Sequence, residues 1–168
     1  MDLSLDVGDY KLNIRAAGMF VHNNKILVHK DDRKDHCCLP GGRIEIGENS
    51  EETIKREIKE ELGKEIEIID YIATIENFFE MEGKKYHELY FLYKVEFLNV
   101  EDKKIDYTMH NVEGKDYLNY EWIELDRINK YNLLPQCLKD ILKNEKFPVH
   151  VINDDLKKEK KKMNKNYT

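Results

Sequence analysis

A chain of 168 residues with 40% hydrophobic and 37% charged side chains is sized for a single soluble domain that buries about 70% of its unfolded surface. Its formal net charge of −6 argues against a general nucleic-acid binder, because an acidic surface repels the phosphate backbone. No apolar run approaches the roughly 20 residues that span a bilayer, and the acidic N-terminus lacks a basic-then-apolar export pattern, so the chain reads as cytoplasmic with no membrane partner.

Residues 1–10 show no clear period and are expected to fray or to add an edge strand. From Lys11 to Lys30 two apolar runs flank Asn23 and Asn24, the signal of a β-hairpin. Ala16, Ala17 and Gly18 leave little side-chain bulk, which suits tight packing or a close ligand, with packing preferred. Asp31 to Asp35 read as a polar loop, and Cys37 to Leu39 as a short strand. Cys37, Cys38 and Cys137 have neither a disulfide framework nor a zinc spacing and are expected as reduced thiols.

Gly41 to Lys64 couples a glycine-bounded loop to a helix. At about 100° per residue, Glu57, Glu60 and Glu61 project within one arc of roughly 100° and can converge on one object. Crowded carboxylates raise one another's pKa unless a cation neutralises them. Magnesium suits an all-oxygen site that leaves positions for water and substrate phosphate. Beside the acids, Ile54, Ile58 and Leu62 form an apolar stripe that docks the helix on a core. Asn49 or Ser50 can cap its start, with Glu51 and Glu52 at the positive end of the helix dipole, and Gly63 can close its end. Pro40, Gly41, Gly42 and Gly47 allow sharp turns that bring Glu48 back toward Arg56, a natural carboxylate partner. The alternative is a solvated helix laced with charge pairs such as Arg56 with Glu60.

Read from Gly42, the residues run G, five residues, E, seven residues, REIKEELGK. This resembles the Nudix box, G x5 E x7 R E U x E E x G U with U apolar. Gly42, Glu48, Arg56, Glu57, Ile58, Glu60, Glu61 and Gly63 match; Lys64 stands where the family favours an apolar residue, although its stem can lie along apolar surface. The resemblance implies an α/β fold of the Nudix type, an α/β/α sandwich with a mixed sheet, here over residues 1–152. It implies hydrolysis of a nucleoside diphosphate linked to another moiety, by water attack at phosphorus, on a small nucleotide such as a nucleoside triphosphate, nucleotide sugar or dinucleotide. Glu57, Glu60 and Glu61 are then the expected ligands of Mg2+, or of Mn2+ in its place. Glu57 or Glu60 orients or deprotonates water, Glu48 and Arg56 support catalysis, and Gly42 is structural. A noncatalytic nucleotide sensor and an RNA 5′-end pyrophosphohydrolase, the latter with RNA on the tail from Lys157 to Lys165, are the alternatives. Many relatives form homodimers, and no segment here marks an interface.

Downstream, Glu65 to Phe79 is expected as a strand bulged near Asp70, Glu80 to Lys85 as a turn, and Tyr86 to Leu98 as a strand whose core face carries His87, Leu89, Phe91, Tyr93, Val95 and Phe97. Residues 99–116 read as a long polar connection. Tyr117 to Leu125 is a further strand, Asp126 is placed to cap a turn at Arg127 to Lys130, and Leu134 to Asn144 reads as a helix with Leu138, Ile141 and Leu142 inward. Residues 153–168 are expected as a charged, disordered tail. An additional acid from outside the box is sought among Glu80, Glu88 and Glu113, with Glu113 preferred. Phe78, Phe79, Tyr86 and Trp122 are candidates to stack on a base. Trp122 and His87 read more readily as core.

Overall fold

A computed structural model of the protein describes residues 1–104, 108–143 and 149–157. Two strands open the chain, β1 (Ser4–Val7) and β2 (Tyr10–Met19), paired antiparallel, so the N-terminus adds an edge strand rather than fraying. The expected hairpin is confined to β3 (Val21–His22) and β4 (Lys25–Asp31), joined at Asn23 and Asn24, both at positive φ as a tight primed turn requires, while β2, expected in its first arm, belongs to the other sheet. Short strands β5 (Cys37–Cys38) and β6 (Gly41–Arg43) lead into helix α1 (Ser50–Leu62).

Two long antiparallel strands come next, β7 (Ile66–Met81) and β8 (Lys84–Phe97), with register shifts on both sides of Asp70 to Tyr71, where the bulge was expected. Their turn is confined to Glu82 and Gly83, narrower than the predicted six residues, because Glu80 pairs with Lys85 and Met81 with Lys84. After a 3-10 turn at Val100–Lys103 come β9 (Met109–His110), β10 (Leu118–Glu124), a 3-10 turn at Leu125–Lys130, helix α2 (Leu138–Ile141) and β11 (Val149–Asp154).

The main sheet is mixed, in the order β1-β2-β8-β7-β11 with β6 also on β2; β2 with β8 and β11 with β7 are its parallel pairs. A smaller sheet runs β3-β4-β10-β9, with β5 on β4. Ile54, Ile58 and Leu62 of α1 bury against Phe20, Tyr93, Val95 and Phe97 on one face of the main sheet. Ala17, Ile75, Tyr90 and Leu92 on the other face pack with Leu133, Leu138 and Ile141. Apolar layers on both faces make the expected α/β/α sandwich. Gly18 is tight packing, since a Cβ there would stand 2.6 Å from Val95 Cγ2.

Several expectations are corrected. Both faces of β8 are buried, so Glu88, Tyr90 and Leu92 are interior although they alternate with the predicted core face. The second helix is one turn, Leu138–Ile141, shorter than the predicted Leu134 to Asn144, with Leu138 and Ile141 buried as expected and Asn144 outside the described residues. Asp126 does not cap the turn after β10 but accepts from Asn24 Nδ2 at 3.2 Å. Asn153 and Asp154 belong to β11, and residues 155–157 form a helical turn, so order continues past the predicted start of the tail; residues 158–168 lie outside the described residues. No helix among the described residues is long and apolar enough to cross a membrane.

Candidate active site

Loop and helix are tied together before any catalytic group is placed. Asn49 caps α1 by accepting from the N–H groups of Glu51 and Glu52, while the Glu52 carboxylate accepts from the Asn49 N–H at 2.9 Å, a reciprocal capping box. Gly63 ends the helix in the left-handed region at φ 65°. Lys64, the departure from the motif, reaches Asp102 with Nζ 2.6 Å from Oδ1.

Glu48 folds back as expected. Its carboxylate accepts from Arg56 Nε at 2.8 Å and Nη2 at 3.0 Å, from Thr53 Oγ1 at 2.7 Å and from the Glu45 N–H at 3.2 Å. The Arg56 fork and these further donors hold its pKa down at about 2. Arg56 also donates to the Arg43 carbonyl at 3.1 Å, to Glu57 Oε1 at 2.9 Å and to Glu60 Oε2 at 3.1 Å. Its five N–H groups thus meet five acceptors, and one rigid cation draws three box acids and the loop backbone together.

Glu57 rises along α1 to lie against β6. A Cβ added at Gly42 would come within 2.1 Å of the Glu57 carboxyl carbon, so the glycine is where that carboxylate packs. Burial, and the neighbouring Glu60 against the pull of Arg56, raise the Glu57 pKa. Glu61, 7% exposed, turns the other way and accepts from Tyr120 Oη at 2.5 Å. Burial pushes its pKa up to about 7, with the Glu57 and Glu113 charges acting in the same direction. The three acids therefore share one helix edge but do not converge on one point: Glu57 and Glu60 are drawn to Arg56 and Glu61 to Tyr120. Among the described residues no three His, Cys, Asp or Glu side chains are gathered closely enough to hold a metal ion.

Beside this edge opens a cavity of about 820 Å³, floored by β2, β7 and β8 and reaching Gly42 and Arg43. Of the predicted base-binding aromatics, Phe79 and Tyr86 line it, stacked on each other at 4.7 Å with planes 9° apart. Phe78 is on the opposite face of β7, against His87 at 4.4 Å, and does not line the cavity. Trp122 packs with the α1 core, away from the cavity, as the core reading had it. Glu113 stands in the loop after β9 beside the end of α1, where the Val112 N–H donates to the Glu61 carbonyl, and Lys115 lowers its pKa by an ion pair at 2.8 Å. Glu80 and Glu88 both line the cavity.

Asn13, Arg15, His29 and Tyr90 were not singled out by the sequence, yet all four line the cavity. Asn13 and Arg15 alternate with Leu12, Ile14 and Ala16, a pattern that reads as a solvent face. In the structure they face the cavity instead, with Asn13 buried against Glu88 at 2.6 Å.

A family model described as NUDIX domain matches residues 12–144. The 8-oxo-dGTP diphosphatase of Buchnera aphidicola is 29% identical over 121 residues, which cover 70% of this chain and 81% of that enzyme. The ADP-ribose pyrophosphatase of Methanocaldococcus jannaschii is 42% identical over 65 residues, 34% of this chain and 38% of that enzyme. The chain spans about a third of the length of two of the curated relatives it matches. Among solved structures, a NUDIX hydrolase of Nitrosomonas europaea has a TM-score of 0.60 at 19% identity, covering 84% of this chain and 79% of that chain, a likeness of fold alone.

Proposed function

Because the chain belongs to the NUDIX family, we propose that this hydrolase of pyrophosphate bonds is magnesium-dependent and cleaves a nucleoside diphosphate linked to a further group, by water attack at phosphorus. One observation carries the reading: Gly42 is both a wall of the large cavity and the contact surface of the Glu57 carboxylate, so a nucleotide in the cavity would present its phosphates to the box acids.

The donor chemistry suits a hard divalent ion, although the carboxylates are not gathered on one point and Glu61 would have to leave Tyr120 to join the other two. Glu57, Glu60 and Glu61 offer only carboxylate oxygens, and crowding with burial makes the first and last hold their negative charge poorly without a cation. These three residues would hold magnesium, which when bound supplies neutralisation of phosphate charge and a lowered pKa for a coordinated water. Arg56 keeps Glu57 and Glu60 close together, and Glu48 keeps Arg56 in place. Tyr120 holds Glu61 apart from Glu57 and Glu60. Glu57 or Glu60 orients the attacking water and takes its proton as the new P–O bond forms and the bridging P–O bond breaks toward the leaving phosphate. Positioning and charge stabilisation do most of such a reaction.

The test is phosphate release, with pyrophosphatase or phosphatase added as needed, across nucleoside triphosphates, nucleotide sugars and dinucleotides, with and without magnesium. Glu60→Gln removes one negative oxygen at nearly constant shape and is expected to lower kcat at least a hundredfold while the fold persists. Equal activity in that variant would overturn the metal assignment. A wild type inert on every substrate that still binds one by calorimetry would make it a nucleotide sensor instead.

A further inference from the structure

Four strands carry one polar residue each in a single registered row, of which Asn13, Asn77 and Glu88 line the cavity. Asn153 of β11 pairs with Asn77 of β7, Asn77 with Glu88 of β8, and Glu88 with Asn13 of β2. The side chains are bonded in the same order: Asn153 Nδ2 to Asn77 Oδ1 at 2.8 Å, Asn77 Nδ2 to Glu88 Oε1 at 3.1 Å, and Asn13 Nδ2 to Glu88 Oε2 at 2.6 Å. Glu88 is 5% exposed, and its carboxylate is the only charge in the row. Each of its oxygens accepts one in-sheet amide, which leaves a further lone pair on each for a ligand. Asn13 Oδ1, in the same row, is buried without a hydrogen-bond partner. So are Tyr90 Oη and Arg15 Nε, in the next row of the same cavity. Buried polar atoms left unpaired in this number are costly unless a ligand completes them.

The order of the rows says which part of a ligand meets which group. Rows on one face of a strand are about 7 Å apart. The stacked Phe79 and Tyr86 form one row, Glu88 with its asparagines the next, and Tyr90 with Arg15 the one after, where Arg15 pairs with Arg43 of β6 beside Gly42 and Glu57. A nucleotide laid with its base on the aromatics and its phosphates toward Arg15 and the box acids puts its sugar over Glu88. We propose that Glu88, with Asn13, binds the vicinal 2′,3′-diol of a ribose, so that the enzyme selects ribonucleotides over 2′-deoxyribonucleotides. Two adjacent hydroxyl donors match two carboxylate acceptors, the pairing by which a carboxylate reads ribose in dinucleotide sites. This rests on the pyrophosphohydrolase reading above and narrows its substrates to ribose-bearing ones.

The experiment uses the full chain and matched pairs, ATP with 2′-deoxy-ATP and GTP with 2′-deoxy-GTP, in steady-state hydrolysis, and AMP with 2′-deoxy-AMP in metal-free calorimetry. The expected result is a preference of at least tenfold for the ribose form in kcat/KM, carried by KM. In Glu88→Gln and in Glu88→Asp, which withdraws the carboxylate by one methylene, the ratio falls to within twofold. A wild-type ratio below twofold overturns the proposal whether or not the variants fold, and so does a ratio that survives both substitutions. Equal handling of the two sugars with strong discrimination between adenine and guanine would instead put a base edge on Glu88. If no substrate is hydrolysed, the AMP pair still reads the sugar preference, so failure of the pyrophosphohydrolase reading is told apart from failure of this one.

Discussion

The Glu57 carboxylate occupies the space that a side chain on Gly42 would need, 2.1 Å from where a Cβ would stand. The backbone at Gly42 is not in the left-handed region, so alanine is conformationally allowed there, and the atoms in conflict are the free end of a flexible side chain. Gly42→Ala is therefore expected to shift Glu57 at small cost to the fold. Thermal denaturation should move by only a few degrees, about 1 kcal/mol or less, while kcat falls at least tenfold. A variant with full activity would show that Glu57 does not act from this position.

Arg56 is the hub of the loop and helix, and lysine cannot reproduce its fork. Arg56→Lys keeps the charge but abandons the two-point grip on Glu48 and the bond to the Arg43 carbonyl. The expected loss is about 2 kcal/mol in urea unfolding at pH 7, with kcat/KM reduced at least tenfold. The acid side has a defined sign. Because the folded pKa of Glu48 is held at about 2, below the ordinary 4.5, its contribution is complete above that ordinary value and is lost as pH falls toward 2. The gap between the wild type and the variant should accordingly narrow as pH falls from about 4.5 toward 2, leaving the part that belongs to the Arg43 carbonyl bond.

How much of this could be read beforehand follows from where each cause lies. The loop, a cap at Asn49 or Ser50, the Gly63 stop and the pairing of Glu48 with Arg56 are local, set within the one stretch from Gly41 to Gly63, and spacing was enough to anticipate them, the structure choosing Asn49. The polar row across four strands is different. Asn13, Asn77, Glu88 and Asn153 come together through strand pairings separated by up to 76 residues, and polar residues at every second position of a strand read as a wet face. The predicted helix from Leu134 failed for a related reason. Its apolar residues are buried by the sheet they lie on, which one helical turn satisfies as well as three. Helical spacing gives the three acids a shared edge but not their partners: Tyr120, from a distant strand, holds Glu61.

The two neighbouring phenylalanines of β7 separate binding from packing. Phe79 lines the cavity in its stack with Tyr86, whereas Phe78 packs on His87 across the sheet. Base stacking on an aromatic ring contributes about 1–3 kcal/mol. Phe79→Ala is expected to raise KM about tenfold with kcat changed less than threefold. Phe78→Ala should lower thermal stability and leave KM within twofold. Equal effects on KM from both substitutions would exclude Phe79 as the surface on which the base rests.

His29 gives the cavity a pH dependence of its own. Its ring stacks on Tyr120 at 4.9 Å and its Nε2 is buried without a partner. Burial first, then the charges of Arg15, Lys115 and Lys34 against the opposing Asp31, pushes its pKa down from 6.5 to about 4. Its base form is the folded one, so the unfolded chain takes up the proton first as pH drops. Stability tied to His29 is complete above about 6.5 and is lost progressively from there to about 4, reaching about 2 kcal/mol once the partial exposure of the ring is allowed for. Other carboxylates titrate in the same range, so the comparison is between wild type and His29→Gln, followed by urea midpoints from pH 4 to 7.5. The difference between the two should shrink in favour of the variant as pH falls below 6.5, and a difference that is constant across the range would exclude a buried neutral His29.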